Sequence, residues 1–341
     1  MRRFALIVGI LFILFAVVGG WFANIALLSQ PEAGAPVNIT VTSGMTARGV
    51  RQLLESNGLV WSPAYAAYAW VDPSVNHPQA GTYAIRRGTS YRDVARLLAV
   101  GPTREEVDIR LIEGKTLDDE RDVIASAGAQ PEAFTALAGA SMNTATFDHN
   151  LIKQYPFLAG IPNKMSLEGY LFPDTYRVWK DHIVDALVLK QLDELSAKVI
   201  QPYAIQQKAS GMTWHQVLTL ASVVEAEVRS VGDRKIVAGI FLNRLNKGMR
   251  LQSDATLNYA IGEGRDRATY KDLQLDSPYN TYKVDGLPPG PINNPSLSSI
   301  EAVLEPTKTN YYFFLSDKNG KMYYARTGAE HQANRAAAFG E

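Results

Sequence analysis

A carboxyl group suited to acid chemistry lies in the segment Thr213–Val228, which reads TWHQVLTLASVVEAEV. Thr213 and Gln216 have the spacing of a capping box, so we expect a helix to begin there. Apolar residues then recur at helical spacing, which predicts a face that packs on a core. This face would be formed by Val217, Leu220, Ala221, Val224 and Val228.

Glu225 lies on the flank of this predicted face, whereas Glu227 is two residues further on and is expected to point away from it. A carboxyl group half-buried against aliphatic side chains tends to keep its proton, because desolvation disfavours the charged form. A neutral carboxylic acid is what the protonation of a glycosidic oxygen requires. Glu225 is therefore a candidate general acid. An ordinary boundary residue of an amphipathic helix gives the same pattern.

The overall composition disfavours several classes of protein. The 341 residues contain 34 Lys plus Arg and 34 Asp plus Glu, and this zero net charge argues against a nucleic-acid binder. Cysteine is absent from the sequence, which removes disulfides and thiol nucleophiles. The five histidines are scattered without the short spacing of a metal site, so we expect neither a metal nor another cofactor.

The N-terminal segment predicts a membrane anchor. Phe4–Phe22 is almost wholly apolar and follows Arg2 and Arg3. About 20 such residues span a bilayer, and the arginines predict a cytoplasmic N-terminus with the bulk of the chain in the periplasm. A cleaved signal peptide is the alternative, since Ala33–Ala35 resembles a cleavage site. The apolar run is longer than the 7–15 residues typical of signal peptides, which favours an uncleaved inner-membrane anchor.

The rest of the chain predicts an α+β fold. Gln30–Pro36 resembles a linker, and the strands Val37–Val41 and Thr82–Ile85 indicate a small module with two strand–helix units. A turn, a capping hydroxyl and an amphipathic helix recur three times, beginning at Gly44, Gly88 and Gly114. The predicted domains are an anchor over 1–30, the module over 37–104 and a larger domain over 105–341.

The larger domain contains several predicted elements and one unusual loop. The elements are a strand Ile109–Glu113, helices Leu117–Ala127, Pro131–Leu137, Ile183–Val199 and Lys235–Lys247, and a hairpin of Tyr311–Ser316 with Met322–Ala325. The segment 277–295 holds five prolines and has no periodicity. A loop of this length in a compact domain is usually functional or disordered, and its aromatic residues and prolines favour an ordered loop.

Several long strings in this domain resemble one family, the endolytic murein transglycosylases, also called YceG-like. They are SLEGYLFPDTYRV at 166–178, ASVVEAE at 221–227, FLNRL at 241–245, RLQSDATLN at 250–258 and SPYNTYKVDGLPPGPINNP at 277–295. The resemblance extends over nearly the whole chain, from the anchor to the segment 311–331. Family members carry a LysM-like region before the catalytic domain, and the module over 37–104 is similar to it. LysM modules bind N-acetylglucosamine-containing glycan, although a mere spacer would give the same pattern.

The resemblance implies a membrane-anchored lyase that cuts peptidoglycan glycan strands internally. One carboxyl group would protonate the oxygen between N-acetylmuramic acid and N-acetylglucosamine. It would then take the proton of the muramyl C6 hydroxyl, which attacks C1 and closes a 1,6-anhydro ring. The family's catalytic glutamate lies in a motif similar to ASIVEKE, whose first glutamate falls on Glu225. Glu227 matches the second and is the weaker candidate.

Polar residues of the same strings are candidates for binding sugar. They are Glu168, Tyr170, Gln252, Ser253, Asp254, Asn280 and Tyr282. Structural roles compete with this interpretation, since Asp174 is expected to cap a turn and Glu168 could pair with Arg177 or Arg250.

Two other functions remain open from the sequence. A peptidoglycan hydrolase would use Glu225 as the acid and Glu168 or Asp254 as the base or nucleophile, and its products would carry reducing ends. A non-catalytic glycan-binding scaffold would recruit wall synthases. The glutamate and the intact neighbouring motifs argue against the scaffold. By the resemblance, the expected partners are peptidoglycan strands, the inner membrane and wall synthases, and the enzyme would terminate or trim nascent strands.

Overall fold

The computed structural model describes residues 2–28, 35–102, 105–262 and 269–340. The chain forms two compact units, Met1–Arg104 and Glu105–Glu341. The described residues combine helices with two-stranded antiparallel sheets, which confirms the predicted α+β class.

The helices of the described residues are α1 (Arg2–Leu27), α2 (Ala47–Ser56), α3 (Ser62–Tyr68), α4 (Tyr91–Val100), α5 (Leu117–Ser126), α6 (Pro131–Ala138), α7 (Ile183–Leu195), α8 (Ala204–Ser210), α9 (Trp214–Glu227), α10 (Val231–Asn246), α11 (Asp254–Ile261), α12 (Leu297–Leu304) and α13 (Gly328–Phe339). The strands are β1 (Val37–Val41), β2 (Gly81–Ile85), β3 (Glu106–Arg110), β4 (Thr175–Trp179), β5 (Phe313–Ser316) and β6 (Met322–Ala325).

The first unit is built on the β1–β2 pair. The two strands run antiparallel with Val37 opposite Ile85 and Val41 opposite Gly81. Alternate side chains of each strand face the core, because successive residues of a strand point to opposite sides. Helices α2, α3 and α4 supply most of the other apolar side chains of this core.

Helix α1 contains the predicted apolar span Phe4–Phe22. The side chains before Leu14 lie outside the described residues, and those of Leu14, Val17 and Val18 are exposed. In the part of the chain that the structure describes, no helix has both the length and the apolar character needed to cross a membrane. Most of the predicted linker Gln30–Pro36 also lies outside the described residues.

The three repeated turns all precede helices, as predicted. Gly44, Gly88 and Gly114 have φ angles of 80°, 77° and 75°, which glycine adopts without the steric cost that a Cβ brings. The hydroxyl that follows each turn accepts a hydrogen bond from the backbone N–H three residues later. The capping residues are Thr46, Ser90 and Thr116.

Three predicted boundaries in the second unit are wrong. The helix predicted over Lys235–Lys247 begins earlier, at Val231. The first strand is β3, Glu106–Arg110, and not Ile109–Glu113, because its extent is set by pairing with β4, where Glu106 lies opposite Trp179. The helix predicted over Ile183–Val199 ends at Leu195 and continues as a π-helical turn, Ser196–Ile200. Apolar periodicity alone does not reveal either the distant pairing partner or the change in hydrogen-bond pattern.

Helix α9 is the central helix of the second core. Thr213 and Gln216 form the predicted capping box, and residues 217–224 are all buried. The predicted core face is confirmed, since its five side chains are at most 2% exposed. Helices α10 and α12 pack on α9, so the end of α9 lies beside the starts of two other helices.

Candidate active site

The last turn of α9 lies at the edge of a cavity of about 600 Å³. Ala226 lines this cavity, and its neighbours Glu225 and Glu227 lie on either side of it in the chain. The other walls come from the turn before α5, the segment 141–142, helix α11 and the loop that precedes α12. We call this space the α9 cavity.

Glu225 is held in a polar cradle. Its Oε1 accepts a hydrogen bond from Nη2 of Arg234 at 2.8 Å. Its Oε2 accepts from the backbone N–H of Ser296 at 2.9 Å, from the Ser299 hydroxyl at 2.8 Å and from the Ser296 hydroxyl. The side chain is 8% exposed. The expected aliphatic surroundings are therefore wrong, because the starts of α10 and α12 cover this carboxylate with a guanidinium and hydroxyl groups.

The helical spacing predicted that Glu227 points away from the core into water. The structure shows instead that it contacts another element. The Ser253 hydroxyl donates a 2.5 Å hydrogen bond to its Oε1, and the residue is half-buried against the start of α11. Burial raises the pKa of the Glu227 carboxyl, and the charge of Asp254 raises it further. The hydrogen bond from Ser253 and the charge of Arg244 oppose this rise. A pKa raised by burial, the property expected of Glu225, is thus found at Glu227.

Glu168 lies behind the wall of the α9 cavity. It is 2% exposed, and its carboxyl group accepts hydrogen bonds from the backbone N–H of Leu117 at 3.0 Å, the Ser141 hydroxyl at 2.8 Å and the Tyr259 hydroxyl at 3.0 Å. Burial raises its pKa to about 8. Ser141 and Tyr259 line the cavity, so Glu168 supports the wall from within, and its burial argues against the predicted contact with sugar.

The alternative expected for Glu168, an ion pair with one of two arginines, is also wrong. Arg177 pairs with Asp108 at 2.9 Å on the surface, and Arg250 pairs with Asp285 at 2.8 Å. Asp174 accepts a hydrogen bond from the N–H of Thr175 at 2.7 Å, in agreement with the turn role predicted for it.

Tyr170 takes part in a hydrogen-bonded contact between α9 and the proline-rich loop 277–295. It is 1% exposed, and its hydroxyl lies 3.0 Å from Nδ1 of His215. Nε2 of His215 lies 2.7 Å from the carbonyl oxygen of Pro289. Because a carbonyl can only accept, Nε2 carries the proton and Nδ1 accepts from the tyrosine. Burial lowers the pKa of His215, which favours this neutral ring. No local sequence pattern indicates a role for His215, since its partners are 45 and 74 residues away.

The loop 277–295 is ordered, as predicted, and it is tied to α9 a second time. The backbone N–H of Ile292 donates to the Ser222 hydroxyl at 3.0 Å, and Nδ2 of Asn293 donates to the Ser222 carbonyl at 2.9 Å. Asn280 is fully buried and donates to the carbonyl oxygens of Leu273 and Leu275, so it organises the loop and does not face the solvent.

A second buried carboxyl group, Glu120, was missed by sequence reasoning. It is 1% exposed and accepts hydrogen bonds from Gln191 at 3.1 Å and Asn294 at 2.8 Å. Burial raises its pKa to about 8. The available signal was that Glu120 occupies the position where the other two repeated helices have valine.

The remaining predicted sugar-binding residues cluster at the start of α11. Gln252 is exposed and has a left-handed backbone with φ of 49°, which few residues other than glycine adopt. Ser253 is 2% exposed, and its hydroxyl is used by Glu227. The Tyr282 hydroxyl donates to Asp254 at 2.5 Å. Gln252, Asp254 and Tyr282 therefore keep some accessible surface near Glu227, whereas Ser253 does not.

Metal chemistry finds no ready site in this arrangement. Within the described ranges, no group of three or more His, Asp or Glu side chains is placed to hold a metal ion.

Comparisons with known proteins agree on one family. The model of the YceG-like family matches residues 39–337. An endolytic murein transglycosylase of Bacillus subtilis (strain 168) is 34% identical over 326 residues, covering 92% of this chain and 89% of that protein. One from Streptococcus pneumoniae serotype 2 is 33% identical over 319 residues, covering 88% of this chain and 58% of that protein.

A solved structure also resembles this chain. The crystal structure of a YceG-like protein from Listeria monocytogenes matches with a TM-score of 0.57 and 30% identity, covering 89% of this chain and all of that one. Because the family model spans most of the chain and a relative above 30% identity is matched over nearly its full length, the chain belongs to the YceG-like family.

Proposed function

We propose that this chain is an endolytic murein transglycosylase, a lyase that cuts peptidoglycan glycan strands internally. The observation that carries the proposal is the half-buried carboxyl group of Glu227 beside the α9 cavity, in a chain whose relatives bear that name. The cavity volume of about 600 Å³ suits at least one sugar residue, since small-molecule sites are usually 300–1,000 Å³.

The proposed reaction needs one carboxyl group in two roles. The neutral acid donates its proton to the oxygen between N-acetylmuramic acid and N-acetylglucosamine, and the bond to that oxygen breaks through an oxocarbenium-like state. The resulting carboxylate then accepts the proton of the muramyl C6 hydroxyl as this oxygen bonds to C1. A 1,6-anhydro ring closes and no water is consumed, so the second carboxylate of a hydrolase is not required. The intramolecular nucleophile also gains from proximity.

Two glutamates compete for this role, and we propose Glu227. Burial raises its pKa, which favours the protonated form that a general acid needs, and the Ser253 hydroxyl donates a hydrogen bond to its carboxyl group. Both oxygens of Glu225 are already engaged by Arg234 and the start of α12. Glu225, the candidate from the sequence, stays a prediction that the same variants test.

The products test the proposed reaction. Purified uncross-linked glycan strands would be incubated with the protein, and the fragments would be analysed by mass spectrometry. We expect internal cleavage with 1,6-anhydromuramic acid ends. Fragments with reducing ends would instead support the hydrolase. The burial of Glu168 argues against its use as a nucleophile, and Asp254 is engaged by Tyr282, so the hydrolase has no free second carboxylate among its predicted candidates.

The location and the front module complete the proposal. We place the protein in the inner membrane with a single N-terminal anchor and its bulk in the periplasm, supported by the apolar run that follows Arg2 and Arg3.

The LysM-like module over 37–104 would contact glycan, and wall synthases would be the protein partners of the whole chain. Deletion of residues 37–100 should weaken co-sedimentation with insoluble peptidoglycan. Unchanged co-sedimentation would leave the module as a spacer.

A further inference from the structure

Arg234, near the start of α10, is a buried cation that the proposed reaction does not use. Its residue exposure is 8%. Its guanidinium group reaches the end of α9 and the start of α12 at once. Nε donates to the carbonyl oxygen of Val228 at 3.1 Å, Nη2 donates to Glu225 at 2.8 Å, and Nη1 donates to the Ser296 hydroxyl at 2.8 Å. Nη1 also contacts the Ser298 hydroxyl.

These contacts join three helix ends. Val228 is the residue that caps the C-terminus of α9, and Ser296 is the residue that caps the N-terminus of α12. Glu225 completes the junction, because its second carboxyl oxygen accepts from the Ser296 N–H and the Ser299 hydroxyl. A guanidinium beside the last carbonyl oxygens of α9 also opposes the partial negative charge of that helix end.

Glu227 lies between the two points at which Arg234 holds α9. One point is the Glu225 side chain, and the other is the Val228 carbonyl. The backbone of this last turn is thereby fixed on both sides of the proposed acid. A helix end without such contacts frays, and a shift of about 1 Å at a catalytic group can cost about a hundredfold in rate.

We infer that Arg234 is a positioning residue that directs the Glu227 carboxyl toward the glycan by clamping the last turn of α9, with Glu225 as its partner in the clamp. The inference rests on the proposed function. A planar fork with several donors is needed to reach Val228, Glu225 and Ser296 together, and lysine offers only a single ammonium group. Arg234→Lys should therefore keep the charge but lose the geometry.

The test is a double-mutant cycle on full-length protein, with kcat and KM measured on uncross-linked glycan strands. The variants are Arg234→Gln, Arg234→Lys, Glu225→Gln and the double variant Arg234→Gln/Glu225→Gln. Arg177→Gln is the matched control, since it breaks an arginine–carboxylate pair on the surface, away from the cavity. Circular dichroism and thermal unfolding would give the folded fraction, so that rates are expressed per folded molecule.

We expect Arg234→Gln and Glu225→Gln each to lower kcat about 10- to 100-fold with little change in KM. The double variant should have a kcat no lower than that of the less active single variant. Arg234→Lys should restore less than half of the loss, and Arg177→Gln should retain the native kcat. Native kcat per folded molecule in Arg234→Gln and Arg234→Lys would overturn the inference, because a purely structural clamp affects the folded fraction alone. Fully additive losses would overturn it as well, because the two residues would then act separately.

The outcome is separable from that of the proposed function. Reducing ends in the products of the unaltered protein would refute the lyase while leaving the dependence of kcat on Arg234 measurable. If Arg234→Gln kept a tenth of the activity while Glu225→Gln had none, Glu225 itself would be the acid and the clamp would be refuted.

Discussion

The Ser253 hydroxyl lies 2.5 Å from Oε1 of Glu227 and joins the start of α11 to the end of α9. This contact draws the Glu227 side chain toward α11, where it is half-buried. It also places a hydrogen-bond donor on the carboxyl group whose pKa burial raises. The pKa of the proposed acid, Glu227, therefore depends in part on a residue from a different element.

The first prediction separates the two glutamates. Glu227→Gln keeps the shape of the side chain but removes the titrating proton, so it should lower kcat by about 10²–10⁴-fold or more, because one group serves as acid and base. Glu225→Gln should lose about tenfold to a hundredfold, since only the clamp is affected. Rates on glycan strands, corrected for folded protein, provide the measurement. Near-normal cleavage by Glu227→Gln with complete loss in Glu225→Gln would restore the assignment made from the sequence.

The second prediction concerns the pH profile. The Ser253 hydrogen bond stabilises the charged form of Glu227 and so opposes the rise in its pKa. Ser253→Ala removes this donor, and the pKa of Glu227 should rise further. The basic limb of kcat/KM against pH, where the acid loses its proton, should then move to higher pH. Ser126→Ala, an exposed serine on α5, is the control. A basic limb that stays in place, or that moves to lower pH, would contradict the role of Glu227 as the acid.

The third prediction concerns stability. Burial raises the pKa of Glu168 from 4.5 to about 8, so the folded protein binds a proton there that the unfolded chain has released. The contribution of this group is fully present below pH 4.5 and is lost as pH rises through about 8. The slope can reach about 1.4 kcal/mol per pH unit for one group in that window.

Glu168→Gln should flatten this decline. Urea unfolding at pH 5, 6, 7 and 8 would give the free energy of unfolding of the native protein and the variant. The exposed Glu132→Gln is the matched control for the change in net charge. A variant whose stability falls with pH as steeply as that of the native protein would show that Glu168 titrates alike in the folded and unfolded chains.

The fourth prediction concerns the close contact between Gly169 and the proline-rich loop 277–295. Gly169 has φ of 81°, and a Cβ there would lie 2.3 Å from Cβ of Pro291 and 3.3 Å from the carbonyl oxygen of Asn293. Gly169→Ala should therefore displace the loop and lower the free energy of unfolding by roughly 2 kcal/mol or more. Gly160→Ala meets no atom within 4 Å and is the control. Equal stability of the two variants, measured by urea unfolding, would refute the close contact.

The fifth prediction concerns topology. The apolar run after Arg2 and Arg3 leads us to expect a single span with a cytoplasmic N-terminus. Alkaline phosphatase fused after Ala35 should be active, whereas a cytoplasmic reporter at the same point should not. A soluble mature protein that lacks residues 1–30 in cell fractions would support a cleaved signal peptide instead.

The sequence by itself determined the main helix of the site. Thr213 and Gln216 cap α9 as predicted, and the apolar face from Val217 to Val228 is buried, because capping and periodicity are local properties of one helix. The same local logic predicted the strands of the first unit, the capped repeats and the β5–β6 hairpin. The long motif strings identified the family, because a match over many residues does not depend on a folding argument.

Only the tertiary structure decided what surrounds each carboxyl group. Helical spacing gives the angle of a side chain around α9, but its burial depends on segments that pack there from elsewhere. Glu227 is covered by Ser253, which is 26 residues away, and Glu225 is held by Ser296, which is 71 residues away. Glu168 could not be assigned for the same reason, since its donors come from α5, the segment 141–142 and α11. Desolvation and hydrogen bonding across such distances set the chemistry of a carboxyl group, and they arise only when the chain has folded.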